Sequence, residues 1–326
     1  MSNLAKYQQI VEETLQSTQF PTQPDELYAP VRYIMGLGGK RIRPVLTLLG
    51  CDIFGGDLQK AAKPALAMEV FHNFTLVHDD LMDNAPLRRG KQTVHEKWNA
   101  STAVLSGDVM LILAYDLLAE IEQSKLPKAV RLFNDTAKKV CEGQQFDMVF
   151  EKQHNVSIKN YIEMIGLKTA VLLGGCLQMG ALLADASEEN QKLIYDFGYT
   201  IGIAFQVQDD LLDAYGTSAQ FGKTIGGDIA ANKKTFLTLK ALELADDELK
   251  TDLENLYSSN SHISNDEKIL RVMEIYEKLN IKAETEKLRD EFYELAMADL
   301  DKIAGADESK KQLLRQFAVD LVSRAK

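Results

Sequence analysis

The chain has 326 residues and a formal net charge of −11, with 48 acidic against 37 basic side chains. An acidic balance of this size excludes nucleic acid as a partner, because binding a phosphate backbone is dominated by clustered Lys and Arg. The apolar content of 45% is enough for a large core, and the three cysteines, Cys51, Cys141 and Cys176, are spaced for neither a disulfide framework nor a zinc site.

No Pro/Gly/Ser-rich linker and no low-complexity block divides residues 1–326, so a single domain is expected. The last proline is Pro127, which leaves the rest of the chain without the strongest helix breaker. Strand signals are scarce, FDMVF at 146–150 being the nearest to one. The predicted class is therefore all-α, a bundle of long helices.

In chain order, the opening MSNLAKYQQIVEETL is amphipathic and lacks the uninterrupted apolar core of a signal peptide, from which a cytoplasmic protein is expected. Turns in PTQPDELYAP precede a helical stretch that runs into GLGGKRIRP at 36–44. There Gly38 and Gly39 free the backbone ahead of Lys40, Arg41 and Arg43. Such a turn can wrap an anion with amides and cations together, although a solvated basic loop has the same composition.

Two apolar helices follow, PVLTLLGCDIF and LQKAAKPALAMEVFHNFTLVHDD, and the second ends in Asp79, Asp80 and Asp83. Asp79 and Asp83 are four apart, so on a helix their carboxylates lie about one turn, roughly 5.4 Å, from each other. Like charges at that spacing disfavour a helix unless a cation sits between them, and Mg²⁺ is the oxygen-loving candidate. His72 lies two turns back on the same face. The loop after the motif carries Arg88 and Arg89, whose planar forks suit a diphosphate.

Stretches 101–118 and 127–150 read as scaffold helices, with Gln144, Gln145 and Asp147 near the end of the second. A helix from Ser157 passes through Lys168 and Thr169, and a lysine among apolar residues needs a partner. VLLGGCLQMGALLADA at 171–186 is too short to cross a bilayer, which takes about 20 apolar residues, so no transmembrane segment is expected. Its Gly174, Gly175, Gly180 and Ala181 suit a closely packed internal helix.

Residues 188–213 form a helix ending in a second copy of the acidic pattern, Asp209, Asp210 and Asp213, after Phe205, Gln206 and Gln208. A solvated helix end explains one DDxxD. Its repetition points instead to two helices aiming six carboxylates across one cavity at a polyanion held through metal ions. The glycine-rich loop that follows, with Lys223, Asp228, Lys233 and Lys234, is placed as a lid would be. Beyond Thr235 the chain is acidic and helical, fit for packing and surface, and it ends with Arg324 and Lys326 within reach of an anionic site.

GGKRIRP before the first motif, RRG directly after it, KT between the two and GKTIGGDIAANK after the second stand in one order. By these motifs the chain resembles the trans-isoprenyl diphosphate synthases over residues 36–234. The resemblance implies a single-domain bundle of long helices around a central cavity. It also implies a prenyltransferase that joins isopentenyl diphosphate head-to-tail to an allylic diphosphate, acting as a homodimer with three Mg²⁺ per active site.

Carried over by position, Asp79 and Asp83 resemble the principal Mg²⁺ ligands, supported by Asp80, and Asp209 resembles the ligand on the second motif, backed by Asp210 and Asp213. Lys40, Arg43, His72 and Arg89 match positions holding isopentenyl diphosphate. Arg88, Lys168 and Lys223 match those gripping the allylic diphosphate, and Thr169, Gln206 and Lys233 match positions lining the reacting centre. The lid has one more residue between Lys223 and Asp228 than some relatives have.

Product length is expected to be set along the first motif's helix, toward its N-terminus, where Phe74 and then Phe71 close the tunnel. An aromatic five residues before the motif with a small residue, Thr75, four before resembles geranylgeranyl diphosphate synthases, whereas aromatics at both positions resemble farnesyl synthases. The motif also lacks the two-residue insertion of one bacterial class. A C20 product is therefore expected, with C15 close behind. A class I terpene cyclase would share the metal-bound ionisation without needing Lys40, Arg43, His72 and Arg89. A non-catalytic subunit of a heteromeric synthase would be expected to lose aspartates, and here both motifs are complete.

Overall fold

The computed structural model describes residues 4–153, 155–216, 226–258 and 263–323. Among them the chain is helical apart from one two-stranded ribbon, as a strand-poor sequence free of proline over its last two-thirds requires. FDMVF lies inside a helix. Two compact units divide the chain.

The first unit draws on Met1–Ala137, Leu172–Asp196 and Lys302–Gln316. It holds α1 (Ala5–Ser17), α2 (Asp25–Gly36), α3 (Ile42–Asp52), α4 (Leu58–Met82), the ribbon β1–β2 (Leu87–Arg88, Lys91–Gln92), α5 (Val94–Lys97) and α6 (Ala100–Leu118). It also takes α7 (Leu126–Lys152) as far as Ala137 and α9 (Val171–Leu183) from Leu172. At its centre is α4, packed against α3, α6 and α1. Residues 65–73 of this helix are all buried, the apolar Ala65, Leu66, Ala67, Met68, Val70 and Phe71 together with the polar Glu69, His72 and Asn73.

Asp57 caps the start of α4 by accepting from the amides of Gln59 and Lys60. Small residues set how near the neighbours come. A Cβ at Gly50 or Gly180 would lie within 2.4 Å of a carbonyl oxygen on the facing helix, and one at Gly107 of α6 would collide with the His78 ring of α4. The expectation of close packing around Gly174, Gly175 and Gly180 is thus met, since each lacks room for a side chain. Two of the three thiols, Cys51 and Cys176, are buried, and burial pushes both up to about 12.

The second unit draws on Lys138–Val171, Phe197–Asp301 and Phe317–Lys326. It contains the rest of α7, α8 (Ile158–Ile165), a π-helical turn at Gly166–Ala170 and α10 (Glu188–Tyr215) from Phe197. Shorter helices follow, α11 (Gly227–Ala230), α12 (Phe236–Leu244), α13 (Asp247–Leu256) and α14 (Asn265–Lys278), then the long α15 (Ile281–Lys302). One core cluster joins Tyr161, Ile165, Ile203, Val207 and Phe236; another joins Leu237, Leu253, Val272 and Tyr276. Lys268 is buried and donates to the Ile229 carbonyl and to Asn232 Oδ1, so α14 closes the C-terminus of α11. Ala100–Leu118 and Ile158–Leu183 have the length and hydropathy of a membrane span, and the second is 78% buried, as a core helix is.

Candidate active site

The open face of α4 near its C-terminus carries Phe74, Thr75, His78 and Asp79, with Asp83 exposed at the cap. Asn84 then turns left-handed at φ 49°. Its amide donates to the Leu81 carbonyl and that of Ala85 to the Asp80 carbonyl, a closure that ends the helix sharply. The redirected chain forms the ribbon, whose two-residue loop, Arg89 and Gly90, has positive φ at both positions, as a tight antiparallel hairpin needs. Sequence gave no strand signal here, because two residues a side carry no periodicity.

This hairpin brings Arg88 back onto the motif. Its Nε and Nη2 donate to the two oxygens of buried Asp80, each at 2.7 Å. Burial raises the Asp80 carboxyl above the usual carboxylate range, and the paired guanidinium pulls it back. Asp80 therefore gives both of its oxygens to Arg88 here. Asp79 lies further from the same guanidinium, 3.7 Å from Nη2, so Asp79 and Asp83 form the outward pair.

Behind this pair lies a basic basin, all of it within the first unit. His72 is enclosed, and burial holds its pKa well below 6.5, helped by the surrounding Arg43, Arg88, Arg89 and Arg41. The ring is thus neutral, and its Nδ1 is buried without a partner. Arg89 donates from Nη1 to the Gly38 carbonyl and lays its guanidinium over Gly39, where a Cβ would lie 2.7 Å from its carbon atom. The glycine pair therefore seats Arg89 as well as bending the loop, a role that spacing alone did not reveal. Gly39→Ala should raise the KM for the ligand of this basin about 10- to 100-fold by displacing the guanidinium, with thermal stability tracked alongside.

The sign of the His72 shift also sets a pH dependence. A histidine whose folded-state pKa lies below its unfolded one contributes stability that is complete above about pH 6.5 and is lost as pH falls toward the folded value. Denaturant titrations should show wild type losing up to about 1.4 kcal/mol more per pH unit below 6.5 than His72→Asn does.

In the second unit, α10 opens Phe205, Gln206 and Asp209 on one face while Asp210 and Asp213 are buried. Asp210 accepts from the Tyr161 hydroxyl and, at 3.1 Å, from Gln206 Nε2, and Gln206 Oε1 accepts from the Thr169 hydroxyl at 3.2 Å. Burial and the Asp228 charge raise the Asp210 carboxyl well above its ordinary range. Asp213 accepts from the Asp228 amide at 2.9 Å and so holds the start of α11. Asp210 and Asp213 are thus engaged by the protein, and Asp209 is the aspartate of this motif on the open face. Among the described residues no preformed cage of three or more His, Cys, Asp or Glu exists. Mg²⁺ does not require one, since it takes one or two carboxylates and completes its octahedron with water and phosphate oxygens. Asp79 and Asp83 supply such hard oxygen donors.

Lys168 is half-buried, and its Nζ lies 2.6 Å from the carboxylate of Asp147. Lys168 and Thr169 sit in the π-helical turn, an insertion that re-aims side chains. Gly143 makes room for it, because a Cβ there would lie 2.2 Å from the Lys168 amide. Lys233 is half-buried and its amide donates to the Asp228 carbonyl, while Lys234 caps α7 through the Phe150 carbonyl. Lys223, Arg324 and Lys326 lie outside the described residues.

Along α4, Phe74 stacks edge-on with His78 at 4.8 Å and meets Phe71 at 5.7 Å. Phe71 in turn packs edge-on against Phe133 of α7, which meets Tyr115 of α6. Thr75 donates its hydroxyl to the His72 carbonyl, leaving little bulk beside Phe74. Phe133 and Tyr115 extend the aromatic series that sequence found only on α4, and no pattern in their own helices marks them for it.

A family model described as polyprenyl synthetase matches residues 24–276. The chain is 37% identical over 280 residues to a short chain isoprenyl diphosphate synthase of Methanothermobacter thermautotrophicus, covering 85% of each. It is 35% identical over 299 residues to a geranylgeranyl diphosphate synthase of Saccharolobus solfataricus, covering 90% of this chain and 89% of that one. Among solved structures, a geranylgeranyl pyrophosphate synthase superposes with a TM-score of 0.94 at 42% identity over 99% of both chains.

Proposed function

The chain belongs to the polyprenyl synthetase family and is a short-chain trans-prenyltransferase; from that premise we propose that it condenses isopentenyl diphosphate with allylic diphosphates up to the C20 geranylgeranyl product. The observation that carries this reading is the pairing, on one helix, of an outward aspartate pair with a buried basic basin around neutral His72. A cyclase needs the first and has no use for the second. We take residues 1–326 as one catalytic domain, because the motifs of a single reaction are distributed over segments of both units.

Asp79, Asp83 and Asp209 would hold Mg²⁺, whose charge when bound offsets the negative charge that develops on the leaving diphosphate. Lys40, Arg43, His72 and Arg89 bind the diphosphate of isopentenyl diphosphate, His72 as a neutral donor that costs little to desolvate. Lys168, with Arg88 and Lys223, grips the allylic diphosphate. Gln206, oriented by Thr169 on one side and Asp210 on the other, presents a fixed amide to the reacting centre.

When the allylic C–O bond breaks, the electron pair leaves with diphosphate. The isopentenyl double bond attacks the resulting cation, a new C–C bond forms, and a proton lost to a diphosphate oxygen restores the alkene. Apolar helix faces exclude the water that would otherwise capture the cation. Phe74 and Phe71 stop the growing chain.

Leu105, Ile112 and Tyr115 leave an apolar face of α6 exposed, which supports the homodimer as the working form. A cytoplasmic location accords with water-soluble diphosphate substrates.

The test is incubation of purified protein with Mg²⁺, labelled isopentenyl diphosphate and, in separate reactions, dimethylallyl, geranyl and farnesyl diphosphates, followed by chain-length analysis. C20 diphosphate that disappears with EDTA is the expected result. No elongation of any primer overturns the reading.

A further inference from the structure

Arg41 stands inside the GGKRIRP turn, yet none of the roles above uses it. Its backbone is left-handed at φ 48°, uncommon for a residue with a side chain, and its own side chain is buried at 6% exposure. Three contacts over-determine that position. Nη1 donates to Glu69 Oε1 of α4 at 2.9 Å, Nη2 donates to the Met35 carbonyl at the end of α2, and Nε lies 3.5 Å from Glu12 Oε1 of α1. Glu69 is itself buried at 2% exposure and is held by Asn73, whose amide donates to the same Oε1 at 3.2 Å.

This cluster touches the basin from below. Glu69 is three residues before His72, on the same face of α4. Burial lowers the Arg89 pKa, and the largest opposing influence is the Glu69 carboxylate. Arg41 lies between Lys40 and Arg43 in sequence and three residues from Gly38, whose carbonyl receives Arg89.

We propose that Arg41 is a positioning residue for the isopentenyl diphosphate pocket, its buried pair with Glu69 pinning the Gly38–Arg43 turn to α4 so that Lys40, Arg43 and Arg89 converge on one anion. The inference rests on the function proposed above. A salt bridge kept only for stability has no reason to favour one of two substrates, whereas this clamp acts on the isopentenyl side alone.

Glu69→Gln separates the two accounts. If Glu69 merely contributed its field, removing a negative charge near an anion pocket would lower the KM for isopentenyl diphosphate. Under the clamp, the KM rises, about 10- to 100-fold for a displacement on the order of 1 Å, while the KM for the allylic primer stays within about 3-fold. Since Arg41→Ala would strand a buried charge and could unfold the protein, the companion variant is Arg41→Met/Glu69→Met, which removes both charges and keeps the volume.

Steady-state kinetics with each substrate varied in turn, and melting curves for every variant, decide it. A selective rise in isopentenyl KM in both variants, with a melting temperature close to wild type, is the expected result. Unchanged or lowered isopentenyl KM in the folded variants, or equal rises for both substrates, overturns the proposal. Wild type that elongates no primer refutes the function itself, an outcome read before any variant is compared.

Discussion

Asp79→Asn and Asp83→Asn should each lower Mg²⁺-dependent condensation about 10³-fold or more, whereas Asp80→Asn should act chiefly on stability. All three belong to one DDLMD stretch, and burial separates them. Asp79 is half-buried and Asp83 exposed at the end of α4, where the proposed Mg²⁺ would sit, and removing one charged group from a preorganised electrostatic site costs roughly 10²- to 10³-fold, more when the ion itself is lost.

Asp80 instead gives both oxygens to Arg88 inside the protein. Breaking a buried bidentate pair leaves a guanidinium without its anion, at a cost of about 2–4 kcal/mol. The check is a panel of the three variants assayed over a Mg²⁺ titration with unfolding curves in parallel. Equal activity losses at 79, 80 and 83 with no stability difference would contradict the division.

The second large effect concerns product length. Phe74→Ala should shift the product from C20 to C25 and longer, and Phe71→Ala/Phe74→Ala should carry it further. Phe74 is half-buried on the open face of α4, so its ring can be removed for about 1–2 kcal/mol, and the next obstruction, Phe71, lies about one turn, roughly 5.4 Å, deeper.

Phe71 is different in kind, being 1% exposed and wedged against Phe133, so its truncation should cost about 3–5 kcal/mol as well as opening the tunnel. Chain-length analysis of the products from farnesyl diphosphate reads the first effect and denaturant unfolding the second. Retention of C20 by Phe74→Ala would place the stop elsewhere, with Phe133 and Tyr115 the nearest aromatics in the series.

Much of the molecule follows from the sequence alone. Freedom from proline after Pro127 and the scarcity of β-branched alternation determine an all-helical chain, because helix is a local structure whose periodicity and breakers are written in neighbouring residues. The repeated DDxxD and the basic motifs around it determine the chemistry, since four-residue spacing on a helix presents carboxylates on one face wherever that helix lies.

Tertiary structure decided which of those residues are buried and what each one touches. Within DDLMD and DDLLD the spacing is identical, yet Asp80 binds Arg88, Asp210 binds Tyr161 and Gln206, and Asp213 holds the start of α11. Each partner is brought near by a different fold over, and in the case of Tyr161 from 49 residues away. Likewise Gly39 is needed because Arg89 rests on it, Lys168 is tolerated because Asp147 meets it, and Arg41 is buried because Glu69 waits on α4. Burial and pairing depend on contacts between residues far apart in the chain, and a single sequence records such residues without recording that they meet.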